Sequence, residues 1–286
     1  MQKNITVQIP KYIDVHAHLN FSAYDQDRHD VIEKTVGDDV WMINVGTQQR
    51  TSQEAVDLAQ AANGGVYAIV GLHPIHTARS FHDTEELGEG GKEFTSHGET
   101  VDVNFYQQLA QSPKVVGIGE TGLDYFHNED DTFLRKQKEA FIAQIHIANA
   151  VNKPLMLHVR SGKTGPSAYA DVLEILRSEA KVPGNVHFFA GSIEEARQFL
   201  DLGFTISFTG VITFASEYAE LVSYVPLDSI LSETDCPYVT PVPYRGKRNE
   251  PVFVKEVVKK IAEIKGQDES VVAPQLVQNA FRMFGL

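Results

Sequence analysis

Six residues of metal-ligating type sit at the ends of otherwise apolar stretches of this chain. Asp14-Val-His16-Ala-His18 closes the first stretch, and Glu120 follows the fourth in Val116-Gly-Ile-Gly-Glu120-Thr-Gly-Leu-Asp124. His158 ends the fifth in Leu155-Met-Leu-His158-Val-Arg160, His187 lies in the sixth, and Asp235 closes the eighth in Ser232-Glu-Thr-Asp235-Cys-Pro-Tyr238. Side chains at i and i+2 of a strand share a face, so His16 and His18 form a two-toothed grip for a metal. A catalytic zinc needs about three protein ligands and keeps one position open, so six ligands fit two ions better than one. His16 and His18 are expected on the first, His158 and His187 on the second, with the Glu120 carboxylate between them. Asp235 is a ligand, a general base beside the attacking water, or both in turn. Two cations about 3.5–4 Å apart activate water and stabilise both oxygens of an in-line displacement. The pattern is that of a binuclear hydrolase.

Such residues converge only if the strands that carry them do. Eight apolar runs are spread along the chain: Tyr12–Leu19, Trp41–Thr47, Val66–His73, Val115–Gly119, Pro154–Val159, Val186–Phe189, Phe204–Thr209 and Ile230–Leu231 with the residues after it. Between them lie helical stripes such as Leu134, Phe141, Ile145 and Ala148, or Val254, Val257, Val258 and Ile261. Continuous apolar strands predict a sheet covered on both faces. Eight strand–helix units predict an α/β fold, a single (β/α)8 TIM barrel spanning 1–286 as one metal-dependent hydrolase domain. A doubly wound open sheet is the competing architecture. Residues 76–100 lack an apolar period and form a long insertion after the third strand, either a lid at the barrel mouth or a solvated loop.

Composition narrows the function classes. Hydrophobic residues make up 42% and charged residues 22% of 286 positions, as in an ordinary globular protein. Cys236 is the only cysteine, which excludes a disulfide framework and cysteine-rich zinc modules. No apolar run reaches the roughly 18 residues a membrane span needs. Met1-Gln-Lys-Asn-Ile-Thr-Val7 holds no apolar core of signal-peptide length, so a cytoplasmic location with no membrane partner is expected. The net charge of −13 counts against a broad phosphate-coating surface but leaves room for a local grip on a few nucleotides. Nothing in the chain requires a protein partner.

Several further residues have a candidate role beside a plainer one. His73, in Gly71-Leu-His-Pro74, orients a ligand, meets substrate, or makes a structural hydrogen bond. Arg160 lies on the His158 face and presents a fork for a phosphate oxygen, or else pairs on the surface. Arg245, Lys247 and Arg248 form the most basic short run of the chain, just past the eighth strand, and are phosphate-binding candidates. Asp124 is read as loop support and Cys236 as inert. His29, His82, His97, His127 and His146 are read as carrying no chemistry.

Taken together these segments resemble the TatD-like metal-dependent deoxyribonucleases, within the amidohydrolase superfamily. The resemblance runs through Asp14–His18, Gly71–Pro74, Gly117–Asp124, His158–Arg160, Glu233–Tyr238, Arg248–Pro251 and Asn279–Arg282. It implies a TIM barrel, divalent metals, hydrolysis of phosphodiester bonds in DNA, and action from the 3′ end. It carries metal-ligand roles onto His16, His18, Glu120, His158, His187 and Asp235. Glu120 stands where related hydrolases bridge their metals with a modified lysine. Imidazoles suit zinc, manganese or iron and magnesium prefers oxygen, while the family is described as magnesium-dependent. Two divalent ions, Mg, Mn or Zn, are therefore expected. The chain departs from the family at Phe188 and Ala190, where a Cys and a Ser are usual, and in its longer 76–100 insertion. An exonuclease on single-stranded or frayed DNA ends is the leading expectation, with DNA ends or another small phosphodiester as partner. The same metal pair could hydrolyse an ester, lactone, amide or aminoacyl ester, and a non-catalytic metal-binding protein is a third reading that the full ligand set disfavours.

Overall fold

The computed structural model describes residues 9–82, 94–126, 130–163 and 165–286. Eight strands form one parallel sheet: β1 (Tyr12–Ala17), β2 (Val40–Val45), β3 (Val66–Val70), β6 (Val115–Asp124), β7 (Leu155–Arg160), β8 (Gly184–Val186), β9 (Thr205–Phe208) and β10 (Ile230–Ser232). The seam between first and last closes through a parallel bridge between Ala17 and Cys236. Asp235 N donates to the His16 carbonyl at 2.9 Å and His18 N to the Cys236 carbonyl at 3.0 Å. This is the TIM barrel that the apolar runs predict, and the open sheet is set aside.

Helices follow the strands. Among the described residues they are α1 (Arg28–Gly37), α2 (Gln49–Ala61), α3 (Val103–Leu109), α4 (Asp131–Val151), α5 (Ala168–Glu179), α6 (Ile193–Asp201), α7 (Ala219–Tyr224), α8 (Val254–Lys265) and α9 (Glu269–Phe284). Local chemistry sets their ends. The Asp130 carboxylate caps α4 by accepting from Thr132 N and Phe133 N, and Ser192 with Glu195 makes a capping box on α6. Both stripes read from the sequence lie on helices, the first on α4 and the second on α8. No helix among the described residues is long and apolar enough to cross a membrane.

The sheet buries both faces. Outer residues such as Met42, Ala68, Leu155 and Leu157 pack with the helices. Ile13, Val15, Ile43, Val45, Ile69, Val116, Met156 and Leu231 fill a second cluster with Val277, Ala280 and Phe284 of α9. A strict two-residue alternation from Ile13 and Val15 would turn His16 and His18 to the helix side. The pairing with β2 prevents this, because Asp14 meets Met42 while Ala17 meets Asn44, so β1 holds one extra residue. That bulge shifts the phase, sends Ala17 outward, and re-aims the two imidazoles inward. A second bulge lies between Ile118 and Thr121 on β6, next to Glu120.

Gly122 sits on the same strand at φ +139°, and a Cβ there would run into the His158 carbonyl. Gly122→Ala is expected to destabilise the fold by about 1–3 kcal/mol, the cost of one strained backbone site. Thermal melting should fall by roughly 2–4 °C per kcal/mol in a chain of this size; an unchanged Tm would contradict the close approach.

The 76–100 insertion is more regular than its sequence predicts. A 3-10 turn (Pro74–Thr77) leads into β4 (Arg79–His82), which pairs antiparallel with β5 (Phe94–His97). Glu99 N bonds the His76 carbonyl at 2.7 Å, fixing the return of the chain. Residues 83–93, His127, and the side chains of His82 and His97 lie outside the described residues. His29 is exposed, and His146 pairs with Glu179 at 2.9 Å on the surface.

Candidate active site

The six predicted ligands meet at the end of the barrel where the strands point, with Glu120 at their centre. Its Oε2 lies 3.4 Å from His16 Nε2 and 3.8 Å from His18 Nε2. Its Oε1 lies 2.9 Å from His187 Nε2, 3.1 Å from His158 Nδ1 and 3.2 Å from His73 Nε2. One carboxylate oxygen therefore faces each imidazole pair. Asp235 Oδ1 joins the first group, 3.4 Å from His18 Nε2 and 3.8 Å from His16 Nε2. The His16 and His187 rings stack at 3.9 Å and link the two groups.

Three of the imidazoles are aimed by their other nitrogen, the usual way of fixing a ligand's tautomer. His18 Nδ1 bonds the Val45 carbonyl at 2.8 Å, turning Nε2 into the site. His158 Nε2 bonds Asp124 Oδ2 at 2.8 Å, turning Nδ1 inward. His73 Nδ1 accepts from Ile75 N at 3.2 Å, so in the neutral ring Nε2 carries the proton toward Glu120. Burial lowers the His73 pKa to about 4, which keeps that ring neutral. His73 thus positions Glu120. Among the described residues, His16 Nδ1 and His187 Nδ1 are buried without a hydrogen-bond partner.

Two carboxylates have larger roles than the sequence suggests. Asp124, read as loop support, is fully buried and holds His158. Glu233 has no assigned role in the sequence reading. Its Oε1 accepts Phe188 N at 2.6 Å, its Oε2 accepts Ser207 Oγ at 2.7 Å, and His187 Nδ1 lies 3.5 Å away. The signal that could have found it is a second carboxylate two positions before Asp235, directly after the last strand. Asp14 ties the two ends of the sheet, accepting from Thr234 N at 2.9 Å and Thr234 Oγ1 at 2.5 Å. Burial raises its pKa well above the usual carboxylate range.

The charges are strongly coupled. Burial alone would raise the Glu120 pKa, but His73, His187 and His16 outweigh it and hold the carboxylate well below its ordinary value. Burial opposes a proton on His187 and on His158; Glu120 with Glu233, and Asp124 with Glu120, respectively reverse that and raise both. Burial and the neighbouring His187 lower His16. Burial pushes Asp235 up, but His18, His16 and His187 bring it below the ordinary range. A buried carboxylate held in its charged form, with imidazole nitrogens around it, is a donor set suited to cations. Three groups of ligand atoms lie within 4.8 Å of one another: His16, His18 and Glu120; His16, His187 and Glu233; His73, Glu120 and His158.

Asp235 differs from the other carboxylates in exposure. Its side chain is 12% exposed, against 4% for Glu120 and none for Asp124 or Glu233, so it is the one that meets water. Asp124→Asn keeps size but removes charge behind His158. It is expected to weaken metal affinity or activity 10- to 100-fold, about the range for such supporting partners. Competition with a chelator reads this directly, and wild-type affinity would contradict it.

The basic candidates divide. Arg160 and Arg245 are exposed and lie over Phe126 and Phe214. Lys247 is exposed beside Tyr244. Arg248 departs from expectation: its fork grips Asp27 at 2.9 and 2.6 Å and donates to the Ala23 carbonyl, bracing α1 instead of facing a phosphate. Cys236 is buried and its thiol pKa is pushed up to about 12 by burial, which makes it inert.

The model of a family described as TatD related DNase matches residues 13–285. An uncharacterized metal-dependent hydrolase, YabD of Bacillus subtilis (strain 168), is 37% identical over 276 residues, covering 95% of this chain and 98% of that protein. A protein of Pantoea ananatis (strain LMG 20103) named 3'-5' ssDNA/RNA exonuclease TatD is 30% identical over 282 residues, covering 96% and 99%. The crystal structure of YJJV, a TatD homolog from Escherichia coli K12, superimposes with a TM-score of 0.79 at 26% identity, covering 98% of this chain and all of that one.

Proposed function

The chain belongs to the TatD-related DNase family and is a metal-dependent hydrolase, and from that premise we propose that it cleaves phosphodiester bonds at single-stranded or frayed DNA ends, with the whole chain as one barrel domain. The observation that carries the reading is Glu120, with one oxygen toward each imidazole pair beneath a water-accessible Asp235. His16, His18 and Asp235 would hold one divalent ion, His158 and His187 the other, with Glu120 reaching both. Ions held there supply positive charge that acidifies the attacking water and offsets charge on the phosphoryl oxygens.

The protein's own groups do the rest. The Asp235 carboxylate accepts the water proton as the water oxygen bonds to phosphorus. The bond from phosphorus to the leaving sugar oxygen breaks, that oxygen takes a proton from solvent, and Asp235 returns its own to solvent. His73 and Asp124 keep Glu120 and His158 in place during the exchange, and the Glu233 carboxylate lies beside His187 Nδ1 at 3.5 Å. Arg160, and then Arg245 and Lys247, offer cations to the non-bridging oxygens of the scissile and neighbouring phosphates. A relative named as a 3'-5' exonuclease supports action from the 3′ end.

The net charge of −13 favours a second reading, an ester, lactone or amide substrate on the same centre. Enzyme stripped of metal and reloaded with Mg²⁺, Mn²⁺ or Zn²⁺ should turn over phosphodiesters and leave lactones and amides essentially untouched. Turnover confined to the carbonyl substrates would transfer the function to the second reading.

A further inference from the structure

Among the described residues, two phenylalanines at the mouth of the barrel are exposed, and each has an arginine over its ring. Phe126 is 38% exposed at the start of the loop after β6, and Phe214 is 46% exposed at the end of a 3-10 turn after β9. The Arg160 guanidinium carbon lies 3.8 Å from the Phe126 ring centre, with Lys163 Nζ at 5.7 Å. The Arg245 guanidinium carbon lies 4.2 Å from the Phe214 ring centre. Both distances are well inside the roughly 6 Å reach of a cation over an aromatic face.

Both pairs adjoin the ligand cluster. Asp124, which holds His158, is the register partner of Arg160, and Phe126 N bonds Asp124 Oδ1 at 2.9 Å. On the other side, the loop following Asp235 is tied to the turn bearing Phe214, because Val242 N bonds Thr213 Oγ1 at 2.9 Å. Arg245 Nη1 bonds the Thr240 carbonyl of that loop at 2.9 Å. One pair therefore stands beside His158 and the other beside the Asp235 loop. All these loops leave the C-terminal ends of parallel strands, so they share one face of the barrel.

Shielding of exposed rings by arginine would explain one such pair as surface packing. Two, each next to ligand-bearing structure, match what a single nucleic-acid strand requires: flat surfaces for bases and cations for phosphates. We propose that Phe126 with Arg160, and Phe214 with Arg245, are stacking subsites for two unpaired nucleobases flanking the phosphodiester at the centre. A base lies on the ring or on the guanidinium plane, and the guanidinium fork reaches the adjacent phosphate. Every base has a stacking face, so these subsites tolerate any sequence and reject bases held in a duplex. The inference rests on the phosphodiester reading and narrows it to a polymer with unpaired bases.

The test compares wild type, Phe126→Ala, Phe214→Ala and Phe126→Trp, using fluorescence anisotropy of a short labelled oligothymidylate and hydrolysis of bis(4-nitrophenyl) phosphate. Each Ala variant should bind the oligonucleotide about 5- to 150-fold more weakly, the range for losing one base stack. The Trp variant should retain affinity, and hydrolysis of the small diester should be unchanged in all. An abasic residue at the stacked position should erase the difference between wild type and the Ala variant. Wild-type affinity in both Ala variants, with DNA still cut, would overturn the subsites and leave the nuclease reading standing. An oligonucleotide bound but never cut would leave the subsites standing and remove the nuclease reading. No oligonucleotide binding by wild type with any metal would overturn both.

Discussion

Asp235→Asn is expected to fold, keep most of its metal, and lose most of its turnover. Asn cannot accept the proton of the attacking water, and general-base catalysis contributes about 10²–10⁴-fold. The backbone at this position argues for a conservative change. Asp235 has φ +54°, which Asn also tolerates, and its N–H closes the barrel seam on His16. Measuring kcat and metal content on one preparation separates lost chemistry from lost metal. A variant with near wild-type rates would move the base elsewhere, with Glu120 or bulk hydroxide as the remaining candidates.

The second large effect concerns the two imidazole pairs. Wild type is expected to hold two divalent ions per chain, and His16→Ala and His158→Ala should each lower that occupancy. The two variants should differ in stability. Among the described residues His16 Nδ1 has no hydrogen-bond partner, so removing that ring breaks no described hydrogen bond on its far side. Removing His158 takes a 2.8 Å partner from the fully buried Asp124 carboxylate, and a buried polar group that loses its bond costs about 1–3 kcal/mol, more when charged. His158→Ala should therefore melt lower than His16→Ala. Elemental analysis with thermal melting checks both points. Wild type that folds well and takes up no metal even after loading would refute the assignment.

Much of this was legible from residue types. Strands buried on both faces read as continuous apolar runs, so the eight barrel strands and the candidate ligands that cluster at their ends could be located. Alternation aimed His16 and His18 at the same face, but which face depended on a bulge that only the register with β2 reveals. Glu233 and Asp124 were harder to assign because their importance lies in what they face, His187 and His158, and those pairs are brought together by folding. The 76–100 insertion has no apolar period, yet β4 and β5 are stabilised there by backbone pairing, which composition does not record. Arg248 belonged to a basic run shortly after the last strand, but Asp27, far away in sequence, claims its fork. Phe126 and Phe214 read as ordinary apolar residues until their exposure and their arginines were seen together.

The metal-dependent barrel is expected to hydrolyse phosphodiester bonds at DNA ends. End-labelled linear single-stranded DNA and a closed circular single strand, each incubated with Mn²⁺, Mg²⁺ or Zn²⁺, test it most directly. The linear strand should be shortened from its 3′ end, with a shallow salt dependence because few phosphates are contacted. The circle should survive, and chelation should stop all cleavage. Equal cutting of the circle would refute end-dependent action. No cutting of either strand with any metal, alongside turnover of an ester or lactone, would contradict the account as a whole.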